Sequence, residues 1–119
     1  MPNIKNTQRI SNILIEKQIH MFCPMGKDTY KADITIDIIP DKEIMDYCET
    51  DAFIKSMNHA PFIIEDAVAV IYAHILDTIK PLYLEVTIHA SEGAHMPVTV
   101  SKQMQPAYEN EEGDRKSVV

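Results

Sequence analysis

Polar and apolar residues alternate most clearly in the stretch around residue 35, where Ala32, Ile34, Ile36 and Ile38 interleave with Asp33, Thr35 and Asp37. A period of two marks a strand with one wet face, and Pro40 ends it. Ser11 to Phe22 mixes β-branched residues with charges, includes His20, and predicts a strand that runs into a turn. Leu84, Val86 and Ile88 alternate again with Tyr83, Glu85, Thr87 and His89, and Met96, Val98 and Val100 repeat the pattern after a small-residue loop through Gly93. These two runs predict a hairpin. Between the strand pairs the period changes. Ile64, Val68, Ile71, Ile75 and Ile79 recur at three and four residues, which predicts a helix over 63–80. Glu65 and Asp66 suit the positive end of its dipole, and Lys80-Pro81 stops it. Before it, Asp41 is placed to cap a helix reaching Lys55, with a weak apolar stripe of Ile44, Met45, Cys48, Ala52 and Phe53.

The order is strand, strand, helix, helix, strand, strand. It predicts an α+β domain in which a four-stranded antiparallel sheet carries two helices on one face. The domain is expected over 11–101, behind an N-terminal arm of residues 1–10 and ahead of an acidic tail, 102–119, whose polarity and missing period read as disorder. The free edges of such a sheet favour closure against further copies, hence a homo-oligomer.

Composition narrows the function. The chain has 119 residues, 45% of them hydrophobic and 24% charged, ordinary for one soluble globular domain. A formal charge of -7 opposes a surface that tracks phosphates, so direct nucleic-acid binding is not expected, while a free base or nucleoside stays open as ligand. Two cysteines and no signal-like segment point to a reduced, cytoplasmic setting, and no apolar run reaches membrane-spanning length.

The candidate chemistry lies in the turn Phe22-Cys23-Pro24-Met25-Gly26-Lys27-Asp28-Thr29-Tyr30. Cys23 sits at a strand end, followed by Pro and Gly in a short polar loop with a lysine four residues on, surroundings that suit a reactive thiol. The competing reading of any such cysteine is a small buried hydrophobe.

Four stretches in order, Cys23-Pro24, a strand ending Ile39-Pro40, Glu65-Asp66 opening the second helix, and Pro81-Leu82-Tyr83-Leu84-Glu85-Val86, together resemble the 7-cyano-7-deazaguanine reductases of queuosine biosynthesis and their non-reducing relatives. The spacing matches from Cys23 to Val86 without insertions. The resemblance implies a tunnelling fold whose sheets join between copies into a barrel, with active sites at the interfaces and a 7-deazaguanine base as the small-molecule substrate. It implies that Cys23 adds to the nitrile carbon to give a covalent thioimide, and that Glu65 grips the base. Three departures matter. The acidic proton donor of the reductases falls on Tyr30, with Asp28 two residues earlier. The histidine usual beside the glutamate is replaced by Ile64, and His59 is nearby in sequence. The lysine-containing NADPH segment falls on Asp46-Tyr47-Cys48-Glu49-Thr50-Asp51-Ala52-Phe53, which has no basic residue and repels a phosphate-rich cofactor. The resemblance therefore leans to the branch that adds ammonia and forms the amidine of archaeosine, with no cofactor expected. NADPH enters only if the chain is a reductase. Asp28, Tyr30 or His59 is left to move the proton.

Two other readings compete. The GTP cyclohydrolases are similar in strand order and use a metal-bound water, but Cys23, Cys48, His59, His89 and His95 form no short ligand pair, and no metal is expected. The other is a deazapurine-binding or assembly protein without turnover, in which His89 and His95 are surface strand residues.

Overall fold

In a computed structural model, which describes residues 3–105, the two predicted hairpins form one antiparallel sheet. Its strands are β2 (Ile13–Cys23), β3 (Asp28–Ile39), β5 (Tyr83–Ser91) and β6 (Val98–Gln103), in the order β2-β3-β5-β6. Short strands β1 (Ile4–Lys5) and β4 (Glu43–Ile44) pair separately, and the helices are α1 (Tyr47–Lys55) and α2 (Ile64–Ile79).

The alternation decides which face is covered. Ile34, Ile36 and Ile38 of β3 stand in register with Ile88, Val86 and Leu84 of β5, and all six are essentially inaccessible. Each such side chain contributes roughly 1.5–3 kcal/mol by leaving water. The predicted α2 stripe of Ile64, Val68, Ile71, Ile75 and Ile79 is buried throughout and lies across β5 and β6. On the far face the rows are polar. Gln18, Asp33, His89 and Thr99 form one row across all four strands, with His89 Nδ1 2.7 Å from Thr99 Oγ1.

Two expectations change. The first helix starts later than predicted because Asp46, not Asp41, caps it: its carboxylate accepts the Cys48 and Glu49 N–H groups at 2.8 and 3.2 Å. Residues 43–44 are occupied in β4, so the buried positions become Thr50 and Ile54, while Cys48 and Ala52 are exposed. The other change concerns the arm. Ile4 and Lys5 pair with Ile44 and Glu43, and the Asn3 amide donates to Glu43 Oε1 at 2.7 Å and to the Thr78 carbonyl at the end of α2. The described part of the arm is therefore fastened to the domain. At the other end β6 continues to Gln103, and residues 106–119 of the expected tail lie outside the described residues. No helix among the described residues is long and apolar enough to cross a membrane.

Candidate functional site

Cys23 is the last residue of β2 and faces Asp28 across the hairpin, with residues 24–27 forming the turn. The turn is closed by the Lys27 N–H donating to the Cys23 carbonyl at 2.7 Å, with Lys27 in the left-handed region at φ 56°. One donor inside the turn aims at the sulfur: the Gly26 N–H lies 3.4 Å from Sγ. The thiol is half-buried, packed on the edge of the core beside residues that remain open to water.

What carries α2 to this turn is a stretch with no periodicity. Residues 58–62 run parallel to the end of β2: the His59 N–H donates to the His20 carbonyl at 2.6 Å, Phe22 to Ala60 at 2.9 Å, and Phe62 to Phe22 at 2.9 Å. Asn58 Oδ1 accepts the His20 N–H at 2.9 Å. These bonds satisfy the edge of β2 near Cys23 and deliver Glu65 in the first turn of α2. Glu65 is exposed, and its carboxylate makes no hydrogen bond or ion pair among the described residues. It is an acceptor without a partner in the first turn of α2.

Tyr30 joins the two sides. It is 3% exposed, and its hydroxyl donates to the Phe62 carbonyl at 2.7 Å. Burial, then the neighbouring charges of Cys23 and Glu65, push its phenol up to about 12. Met21 pairs with Tyr30 two residues before Cys23, and the Tyr30 bond to Phe62 holds the segment that leads into Glu65, so the fold gathers Cys23, Tyr30 and Glu65 at the same end of the sheet. With its proton directed at a backbone carbonyl, Tyr30 braces β3 to the segment before α2.

Asp28 is exposed, opposite Cys23, and takes the Thr29 N–H at 2.8 Å on one oxygen. His59 is exposed, left-handed at φ 66°, and its imidazole makes no hydrogen bond or ion pair among the described residues. It enters the site through its backbone. Asp46 to Phe53 forms the cap and most of α1, where Lys17 and Lys55 come within 2.8 and 3.1 Å of Asp51. Those lysines hold the Asp51 carboxyl below its usual range, and their charge is directed to it. Among the described residues no group of three or more His, Cys, Asp or Glu side chains could hold a metal ion.

Sequence reasoning placed a small-residue loop between β5 and β6 but missed that it packs on Tyr30 and the Cys23 turn. Gly93 lies so close to Tyr30 that a Cβ there would stand 2.9 Å from the Tyr30 Cβ, and Ala94 abuts Gly26. Small residues in a loop carry no periodic signal, so only the folded chain reveals the contact.

The role of Tyr30 has a measurable consequence. Its folded value is raised above the ordinary tyrosine value of about 10, so the fold favours the neutral phenol. That contribution is fully present below pH about 10 and is lost as pH rises toward about 12. Tyr30→Phe leaves the Phe62 carbonyl without its donor and is expected to cost about 1–2 kcal/mol. Denaturant unfolding as a function of pH should show an alkaline loss in the wild type that is smaller in the variant. An unchanged profile would show that Tyr30 carries no such linkage.

No protein-family model matches the sequence, and no curated protein does. Among solved structures the chain is similar to one described as the crystal structure of the archaeosine synthase QueF-Like in the apo form, with a TM-score of 0.72 over 79% of this chain and 93% of that chain, at 16% identity. The likeness shows the fold: an α+β tunnelling fold, whose four long strands and two helices follow the order expected from the sequence, with the short β1 and β4 added to it.

Proposed function

We infer that this protein modifies a 7-deazaguanine base, capturing the nitrile of 7-cyano-7-deazaguanine on Cys23 and converting it to the amidine with ammonia. The observation that carries the reading is that Cys23, two residues beyond the partner of Tyr30 on β2, and the unpartnered Glu65, three residues beyond the Phe62 carbonyl that Tyr30 bonds, lie at one end of the sheet in a fold shared with an archaeosine synthase. A guanine-type edge offers two adjacent N–H donors, which one carboxylate accepts together in charge-assisted bonds. Glu65 orients the ring this way and Cys23 supplies the nucleophile.

The chemistry balances with the residues present. The sulfur lone pair of Cys23 forms a C–S bond to the nitrile carbon as one C–N π bond opens. The thiol proton passes through the Asp28 carboxylate, opposite Cys23, to the nitrile nitrogen, giving a thioimide. Ammonia then adds to that carbon, the C–S bond breaks, and the sulfur regains a proton by the same route. The product is the amidine and the thiol is restored. No electrons are exchanged, and no nicotinamide is required. Asp28 is the shuttle in this scheme because it is the open carboxylate beside the thiol, whereas the Tyr30 hydroxyl is committed to Phe62.

Among the described residues the sheet leaves β2 and β6 as its edges, and the outer side of β2 is paired only near its end, at residues 20–22, by the 58–62 segment. Edge pairing between copies belongs to the reading, with the site at their boundary. Sedimentation showing only monomer would remove that part.

The test is to incubate the pure protein with 7-cyano-7-deazaguanine, adding ammonium or NADPH, and to identify the product by mass. The amidine is expected with ammonium. An aminomethyl product with NADPH consumed would overturn the amidating assignment in favour of reduction.

A further inference from the structure

We propose that the loop between β5 and β6 is a wall of the Cys23 site, in which Gly93 and Ala94 are positioning residues that hold the Gly26 amide on the sulfur. Three contacts fix the loop. At its base the Lys31 ammonium lies 3.7 Å from the Glu92 carboxylate, tying the loop to β3. Gly93 rests on Tyr30, where a Cβ would come within 2.9 Å of the Tyr30 Cβ and 3.7 Å of the Thr29 carbonyl oxygen. The obstacle is rigid main chain and a Cβ, so this close approach requires glycine on contact grounds alone. Ala94 then meets the turn: a Cβ built on Gly26 would lie 3.1 Å from the Ala94 Cβ and 3.9 Å from Cys23 Sγ.

The two facing turns each hold a non-glycine residue in the left-handed region, Lys27 at φ 56° and Glu92 at φ 62°. Such conformations persist where the surroundings over-determine them. Here each turn is the other's surrounding. The β2–β3 turn cannot swing toward the loop without meeting Ala94, and its Gly26 N–H stays 3.4 Å from the sulfur. A donor on sulfur fixes the direction of the nucleophile and disperses its negative charge as it attacks. Ala94 acts through Gly26, and Gly93 acts by seating Ala94.

The idea rests on Cys23 being the reactive thiol, but its test needs no deazaguanine. Iodoacetamide alkylation is followed by peptide mass for both cysteines at once. Cys48, exposed in the first turn of α1, serves as the internal reference. Gly26→Ala places a methyl against Ala94 and the sulfur, and the Cys23 rate is expected to fall about fivefold, the equivalent of losing one hydrogen bond of about 1 kcal/mol. Cys48 should not change. Adding Ala94→Gly moves the methyl from one side of that contact to the other, so the two turns again brace each other and the Cys23 rate should recover. General unfolding would move both cysteines and would not be rescued by a second glycine. An unchanged or faster Cys23 rate in Gly26→Ala, or no recovery in the double variant, overturns the proposal. If the rates follow this pattern while 7-cyano-7-deazaguanine leaves no adduct, the wall stands and the substrate assignment falls.

Discussion

Cys23→Ala is expected to abolish the covalent adduct with 7-cyano-7-deazaguanine completely, and turnover with it. The intact mass of the wild type should rise by one molecule of substrate when ammonia is withheld, because the thioimide then has no nucleophile to release it. The variant should show no increase at any substrate concentration. Its stability should change little, since Cys23 is half-buried at a strand end and its neighbours Pro24 to Lys27 already face water. A second measurement separates loss of chemistry from loss of shape. Cys23 is one of the two charges that raise the Tyr30 phenol, so removing it should let that phenol titrate lower while the tertiary signal is retained. An adduct that survives in Cys23→Ala would place the reacting group elsewhere and sink the mechanism.

The parts of this site were legible in the sequence to unequal degrees, for physical reasons. Ala32 to Ile38 and Ile64 to Ile79 announced a strand and a helix because each buries one face, and burial imposes a period. The start of α1 was misplaced because Asp41 and Asp46 are equally good caps, and the stripe beyond them was weak. What separates them is the pairing of Glu43 and Ile44 with the N-terminal arm, a contact across some 40 residues. The 58–62 segment, between the two predicted helices, has no period to read. Its work is done by backbone groups bonding the edge of β2, and backbone donors look the same in every sequence. The contacts of Gly93 and Ala94, in what read only as a small-residue loop, were invisible for a related reason: their importance is in what they lack. Cys23 was singled out by its turn, Glu65 by resemblance, and Tyr30 entered as a replaced acid. The fold adds the physical connection, a buried phenol that senses both and fastens the segment that positions one of them.

Glu65→Gln is expected to weaken base binding about 100-fold while leaving the thiol as reactive toward iodoacetamide as in the wild type. The carboxylate offers two acceptors to two N–H donors, whereas the amide offers one acceptor and turns an N–H toward the second donor. Losing one bond to a charged group, setting two donors against each other in its place and removing the charge from the remaining bond is together worth about 3 kcal/mol, which gives that factor in affinity. Stability should fall by less than about 1 kcal/mol, because Glu65 is exposed and contributes to the fold only through the helix dipole. The variant also removes a charge that raises Tyr30, so the phenol should titrate lower here as well. Calorimetry with the non-reacting parent base, 7-deazaguanine, isolates recognition from capture. Equal affinity in wild type and variant would mean that the carboxylate does not hold the base. Adduct formation would then rest on Cys23 alone, a reactive thiol without a substrate-defining partner.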